Sequence, residues 1–197
     1  MSAEIIKNLG PISFLAGAWE GEKGDDIAPS DDRGTENNKF RERMIFEPLG
    51  PTNNPEQVLW GLRYKTTAWR IGENDAFHED LGYWLWDPQD KQVIKAFTIP
   101  RGIALMAGGT VEPSATTFKI AAKEGSSTYG LCHNIFLEKE FKIVGFEMTI
   151  TAQGRDSFSY TQDTQLLLKG RKDVFHHTDK NTLKRISLKG GDRWTAD

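Results

Sequence analysis

Residues 76–100, AFHEDLGYWLWDPQDKQVIKAFTIP, read as two β-strands joined by a tight turn at Asp87-Pro88-Gln89-Asp90. Aromatic and β-branched residues fill both flanks, and proline with aspartate at the apex presets the turn. The pattern spreads in both directions. Upstream, QVLWGLRYKTTAWR (57–70) sets Val58, Trp60, Leu62 and Tyr64 against Leu59, Gly61, Arg63 and Lys65, a period of two. Before it, NKFRERMIFEP (38–48) carries Phe40, Met44 and Phe46 on one parity and Arg41, Arg43 and Glu47 on the other, and LAGAWEGE (15–22) supplies a first strand. Downstream, RGIALMAGGTVE, ATTFKIAAKEG, STYGLCHNIFLE, KIVGFEMTITAQG, DSFSYTQDTQLLLKG and NTLKRISL bring the count to about ten strands. Stripes of helical period are nearly absent after residue 16. Consecutive strands with short turns and no helical crossover point to an all-β chain, a single antiparallel up-and-down β-barrel, with a sandwich as the competing architecture.

The composition suits one such domain over residues 1–197. Apolar residues make up 38% of the chain and charged residues 27%, and no apolar run is long enough for a membrane span. The net charge of -3 offers no extended basic face for nucleic acid. The lone Cys132 excludes an intramolecular disulfide and a cysteine-based zinc site. The start MSAEIIKNLGPISFL lacks the basic and apolar pattern of a secretory signal, so a cytoplasmic location is expected. Residues 5–15 suit a short N-terminal helix or turn. Residues 23–38, KGDDIAPSDDRGTENN, are too polar to be buried and read as a long loop over the barrel mouth, able to act as a lid. Around ten strands leave room for a ligand. Oligomeric state is open, a homodimer included.

Few residues carry chemical signals. Gly17-Ala18-Trp19 opens the first strand and Arg185 lies near the end of the last, and in a closed barrel these strands are neighbours. A guanidinium over the indole would contribute about 1 kcal/mol and close the barrel base. The pairing resembles the signature of calycins, the lipocalins and fatty-acid-binding proteins, and makes Trp19 and Arg185 structural residues. In FHHTDKNTLKR (175–185) the adjacent His176 and His177 face opposite sides of a strand, and His177 shares the parity of Leu183 and Arg185 that points inward. His133 shares parity with Leu131, Ile135 and Leu137, which makes it a core histidine or a group facing a bound ligand. His78, in the wall segment AFHEDLGYW, reads as structural. Arg101, in TIPRGIALMAGG, could meet a carboxylate at the mouth. No GxSxG, HExxH or P-loop spacing occurs.

GAWEG (17–21), the IAP of residues 27–29, HEDLGYW (78–84) and HHTDKNTLKR (176–185) together resemble the nitrobindin family of haem-binding β-barrels, in its bacterial, fatty-acid-binding-protein-like branch, over almost the whole chain. The resemblance implies a ten-stranded barrel holding haem b through one histidine near the last strand. The match to that histidine is His177, with His176 as the alternative. It also implies nitric oxide binding at ferric haem and, in some members, isomerisation of peroxynitrite to nitrate. Arg101 would then face a haem propionate, His133 would be a distal group or second ligand, and Asp179 and Asn181 would orient the His177 ring. The chain departs from the family pattern GxWxGxGxGxYPT: Asp25-Asp26-Ile27-Ala28-Pro29 stands where the tyrosine segment would be. Two other readings accompany this one: a metal-free carrier of a fatty acid or other small hydrophobic ligand, and an interaction module with a filled interior.

Overall fold

The computed structural model describes residues 3–187. A short helix α1 (Ala3–Asn8) and a 3-10 turn (Gly10–Leu15) lead into β1 (Gly17–Pro29), β2 (Thr35–Asn54), β3 (Gln57–Arg70), β4 (His78–Asp87), β5 (Gln92–Ile99), β6 (Ile103–Thr110) and β7 (Thr117–Lys123). Then follow β8 (Leu131–His133), α2 (Ile135–Glu140), β9 (Phe141–Ala152), β10 (Ser157–Leu168) and β11 (Val174–Ile186). All pairings are antiparallel, in the order β5-β4-β3-β2-β1-β11-β10-β9-β7-β6, and β5 pairs with β6 to close the ring. The result is a ten-stranded barrel with β8 as an extra strand beside β6. Closure leaves no long free edge, which is how an all-antiparallel sheet avoids unpaired backbone. No helix among the described residues is long and apolar enough to cross a membrane.

Two expectations are corrected. Residues 23–38 are not a long loop: β1 and β2 pair as far as Pro29↔Thr35, so the loop shrinks to the turn at 30–34. Polar side chains misled the reading, because on a barrel wall every second residue meets water. Residues 127–138 are not one strand: β8 has three residues, after which Asn134 caps α2 by accepting the Leu137 N–H at 3.0 Å. The inward stripe Leu131, His133, Ile135 and Leu137 therefore does not form.

The two barrel ends differ. At the base, Leu9, Ile12 and Leu15 are fully buried as a plug beneath Trp19 and Trp86. The connections β1–β2, β3–β4, β5–β6 and β10–β11, together with α2, gather at the opposite end, the mouth. The main apolar core fills the base and middle, and a second small cluster of Ile143, Leu166, Leu168 and Phe175 sits toward the mouth.

One irregularity matters for function. Between Gly21 and Gly24 the β1–β2 ladder shifts register, and β1–β11 shifts between Glu20 and Asp25. This bulge inverts the parity of β1, since Trp19 and Gly21 are buried before it and Gly24 and Asp26 after it. A Cβ at Gly24 would run into the Phe40 ring, and one at Gly21 into the Asn181 side chain, so the bulged strand lies close against its neighbours only because both are glycine.

Candidate cofactor site at the barrel mouth

Strand β11 presents Phe175, His177, Asp179, Asn181 and Leu183 inward, and His177 is the half-exposed member at the mouth. The bulge in β1 carries Asp26 opposite it, and His177 Nε2 lies 2.8 Å from Asp26 Oδ1. Asp26 is 6% exposed and also accepts from Asn38 Nδ2 at 3.3 Å. Burial pushes the His177 imidazole down in pKa, but the Asp26 hydrogen bond and the charges of Asp26 and Asp179 outweigh it, so the net direction is up. His177 Nδ1 makes no hydrogen bond among the described residues.

Below this pair the barrel holds more charge than its apolar periodicity suggests. Asp179 accepts from Gln162 Nε2 at 2.8 Å, and burial pushes its carboxyl up to about 6. Glu42 is almost fully buried, between Tyr160 Oη at 3.0 Å and Asn181 Nδ2 at 2.8 Å, and burial pushes it up to about 8, so it is largely protonated at neutral pH. Lys95 is buried with its ammonium 3.6 Å from Asp80 Oδ2 and 4.1 Å from the Phe97 ring centroid, and the rings of Tyr64, Trp84 and Phe146 surround it. Tyr64 Oη donates to Asp80 Oδ2, while Asp80 Oδ1 has no hydrogen-bond partner among the described residues. His78 faces the same group from β4. Burial lowers its pKa, against the pull of the Asp80 carboxylate.

Other residues singled out by sequence fall elsewhere. His176 is on the outer wall, exposed, with Nδ1 2.7 Å from Asp163 Oδ2, so it is no alternative to His177 at the mouth. His133 is drawn to α2, with Nε2 2.8 Å from Glu138 Oε2, and does not join the His177 group, because the helix begins where a strand was expected. Arg101 is exposed on the β5–β6 turn, its guanidinium 5.4 Å from the Phe141 centroid, and its charge is felt at His177. From the β1–β2 turn, Arg33 reaches the same ring at 5.0 Å and binds Glu140 Oε2 at 2.6 Å. At the base, Arg185 lies 4.1 Å above the Trp19 ring and donates to the carbonyls of Ala16 and Phe14.

Sequence reasoning missed Asp26, Glu42, Asp80 and Lys95. Glu42 shares parity with Phe40 and Met44, Asp80 with Trp84, and Lys95 with Val93 and Phe97, so a polar residue in each inward stripe was the available signal. Asp26 gave none, because the bulge that turns it inward is not written as a pattern.

The donor chemistry of the mouth fits a haem. Iron takes a neutral imidazole nitrogen, and His177 has one nitrogen on a carboxylate and the other free, the arrangement common to metal-binding histidines. Phe175, Leu166 and Ile143 pack as a buried apolar cluster toward the mouth, with Phe141 against it, and Arg101 supplies positive charge at the rim.

Ten antiparallel strands closed into a barrel, with an inward histidine on the last strand, define the architecture of the protein. Residues 8–185 match the family model described as THAP4-like, heme-binding beta-barrel domain, and the chain belongs to that family, the nitrobindin-type barrels. Among solved structures, the fold is similar to that of "Crystal Structure of Rv2717c from M. tuberculosis", with a TM-score of 0.66 and 19% identity over 95% of this chain and 100% of that one. No curated protein matches the sequence.

Proposed function

We propose that the protein binds haem b at the mouth of its barrel, with His177 as the iron ligand. The carrying observation is the inward, half-exposed His177 on β11 of a chain whose family model is a haem-binding barrel. Asp26 holds the imidazole, the apolar cluster of Phe175, Leu166 and Ile143 would pack toward the bound group, and Arg101 would supply positive charge for its carboxylates. When bound, ferric haem would supply the iron chemistry toward a small ligand, nitric oxide or peroxynitrite by family analogy. The protein's part is to exclude water and fix the ring.

A metal-free carrier of an acyl chain is the weaker reading, because the matching family model is described as haem-binding and an imidazole held by a buried carboxylate gives an apolar chain nothing to bind. Titration of apo-protein with hemin, followed by absorption spectroscopy, decides between the two. A Soret band shifted from that of free hemin, saturating at one haem per chain and lost in His177→Ala, is the expected result. A free-hemin spectrum throughout overturns the haem reading and favours a search for a co-purified lipid by native mass spectrometry.

A further inference from the structure

Among the carboxylates at the mouth, Asp26 is the one hydrogen-bonded to His177. Asp179 is engaged by Gln162, Glu42 by Tyr160 and Asn181, and Asp80 by Tyr64 and Lys95. Asp26 is also the most deliberately placed. Only the bulge between Gly21 and Gly24 turns it inward, and Asn38 on β2 holds its second oxygen. The carboxylate is buried, so little water competes for the imidazole N–H.

A carboxylate accepting one ring N–H fixes the tautomer and pushes electron density toward the other nitrogen, more strongly than a neutral carbonyl does. We propose that Asp26 is a positioning residue that makes His177 an electron-rich ligand and biases iron bound there toward the ferric state. The inference rests on the haem reading above.

The test loads wild type, Asp26→Asn and Asp26→Glu with hemin. It measures hemin affinity, the ferric/ferrous midpoint potential and, on the dithionite-reduced protein, the iron–imidazole stretch by resonance Raman, with circular dichroism to confirm folding. Asp26→Asn is expected to weaken hemin binding roughly 10- to 100-fold, to move the potential positive and to lower the stretching frequency. Asp26→Glu is expected to fall between the two and carries the same test if the asparagine variant does not fold. Variants that bind hemin with wild-type potential and stretch overturn the proposal while leaving His177 as ligand, as does lost affinity with an unmoved potential, which marks a merely structural role. A wild type that takes up no hemin overturns both this inference and the haem reading.

Discussion

At the scale of single residues, the chain spends buried charge in two ways. Arg185 stays half in water and ties the base together: its guanidinium covers Trp19 and donates to Ala16, Phe14 and Arg155 carbonyls, while Trp19 Nε1 donates to Leu15 O at 2.7 Å. Arg185→Ala is expected to cost about 1–3 kcal/mol from the lost cation–π contact and charged hydrogen bonds, seen as a lower urea midpoint with an unchanged slope. Glu42 is the opposite case, a carboxyl kept protonated by burial. Its folded pKa is raised from 4.5 to about 8, so the folded chain keeps a proton that the unfolded chain has released. The contribution is full below the unfolded value and is lost as pH rises toward 8, at about 1.4 kcal/mol per unit. Asp179, raised to about 6, adds a loss in the same direction at lower pH. Glu42→Gln keeps the shape without the charge. Thermal melts at pH 6 and 9 should show a smaller drop for the variant than for wild type, and equal drops would mean that Glu42 ionises freely in the fold.

At the scale of elements, the β1–β2 turn and the β1 bulge do what composition assigned to a loop. Arg33, a non-glycine residue at φ +65°, donates to the Glu140 and Lys169 carbonyls and pairs with the Glu140 carboxylate, so the turn is fastened to α2 and to the β10–β11 turn at the mouth. Arg171 closes the set by donating to Arg33 O. Since β1 leaves the β11 ladder after Ile27↔Thr178, these bonds replace the missing ladder on that side. Arg33→Ala should therefore speed amide exchange of residues 30–34 roughly tenfold, about 1.4 kcal/mol of local opening, with little change in the global melt. Exchange unchanged at the turn and faster everywhere would place Arg33 in global stability instead.

At the scale of the whole molecule, the two barrel ends differ: a plugged base carries stability and a polar mouth carries the proposed site. Leu9, Ile12 and Leu15 are fully buried although they precede the first strand, so the N-terminal segment is part of the core. Ile12→Ala should cost about 2–5 kcal/mol and lower the melting temperature about 2–4 °C for each kcal/mol, leaving hemin stoichiometry intact because the mouth is at the far end. Hemin itself should raise the wild-type melting temperature in a concentration-dependent way and leave His177→Ala unmoved.

The sequence by itself determined a closed antiparallel barrel of about ten strands, the pairing of Trp19 with Arg185 and the inward parity of His177, because each follows from period-two alternation and from the adjacency of first and last strands in a closed ring. Polar inward residues such as Glu42 were legible in principle, as breaks in an apolar stripe. What only the tertiary structure decided is the company that His177 keeps. One extra residue in β1 flips a parity, and a helix capped by Asn134 ends the strand just after His133 and gives it Glu138 as a partner. Asp26 and His177 meet across 151 positions of sequence. Alternation is a local property that a single bulge resets, whereas hydrogen bonds between distant strands depend on the register of every ladder between them.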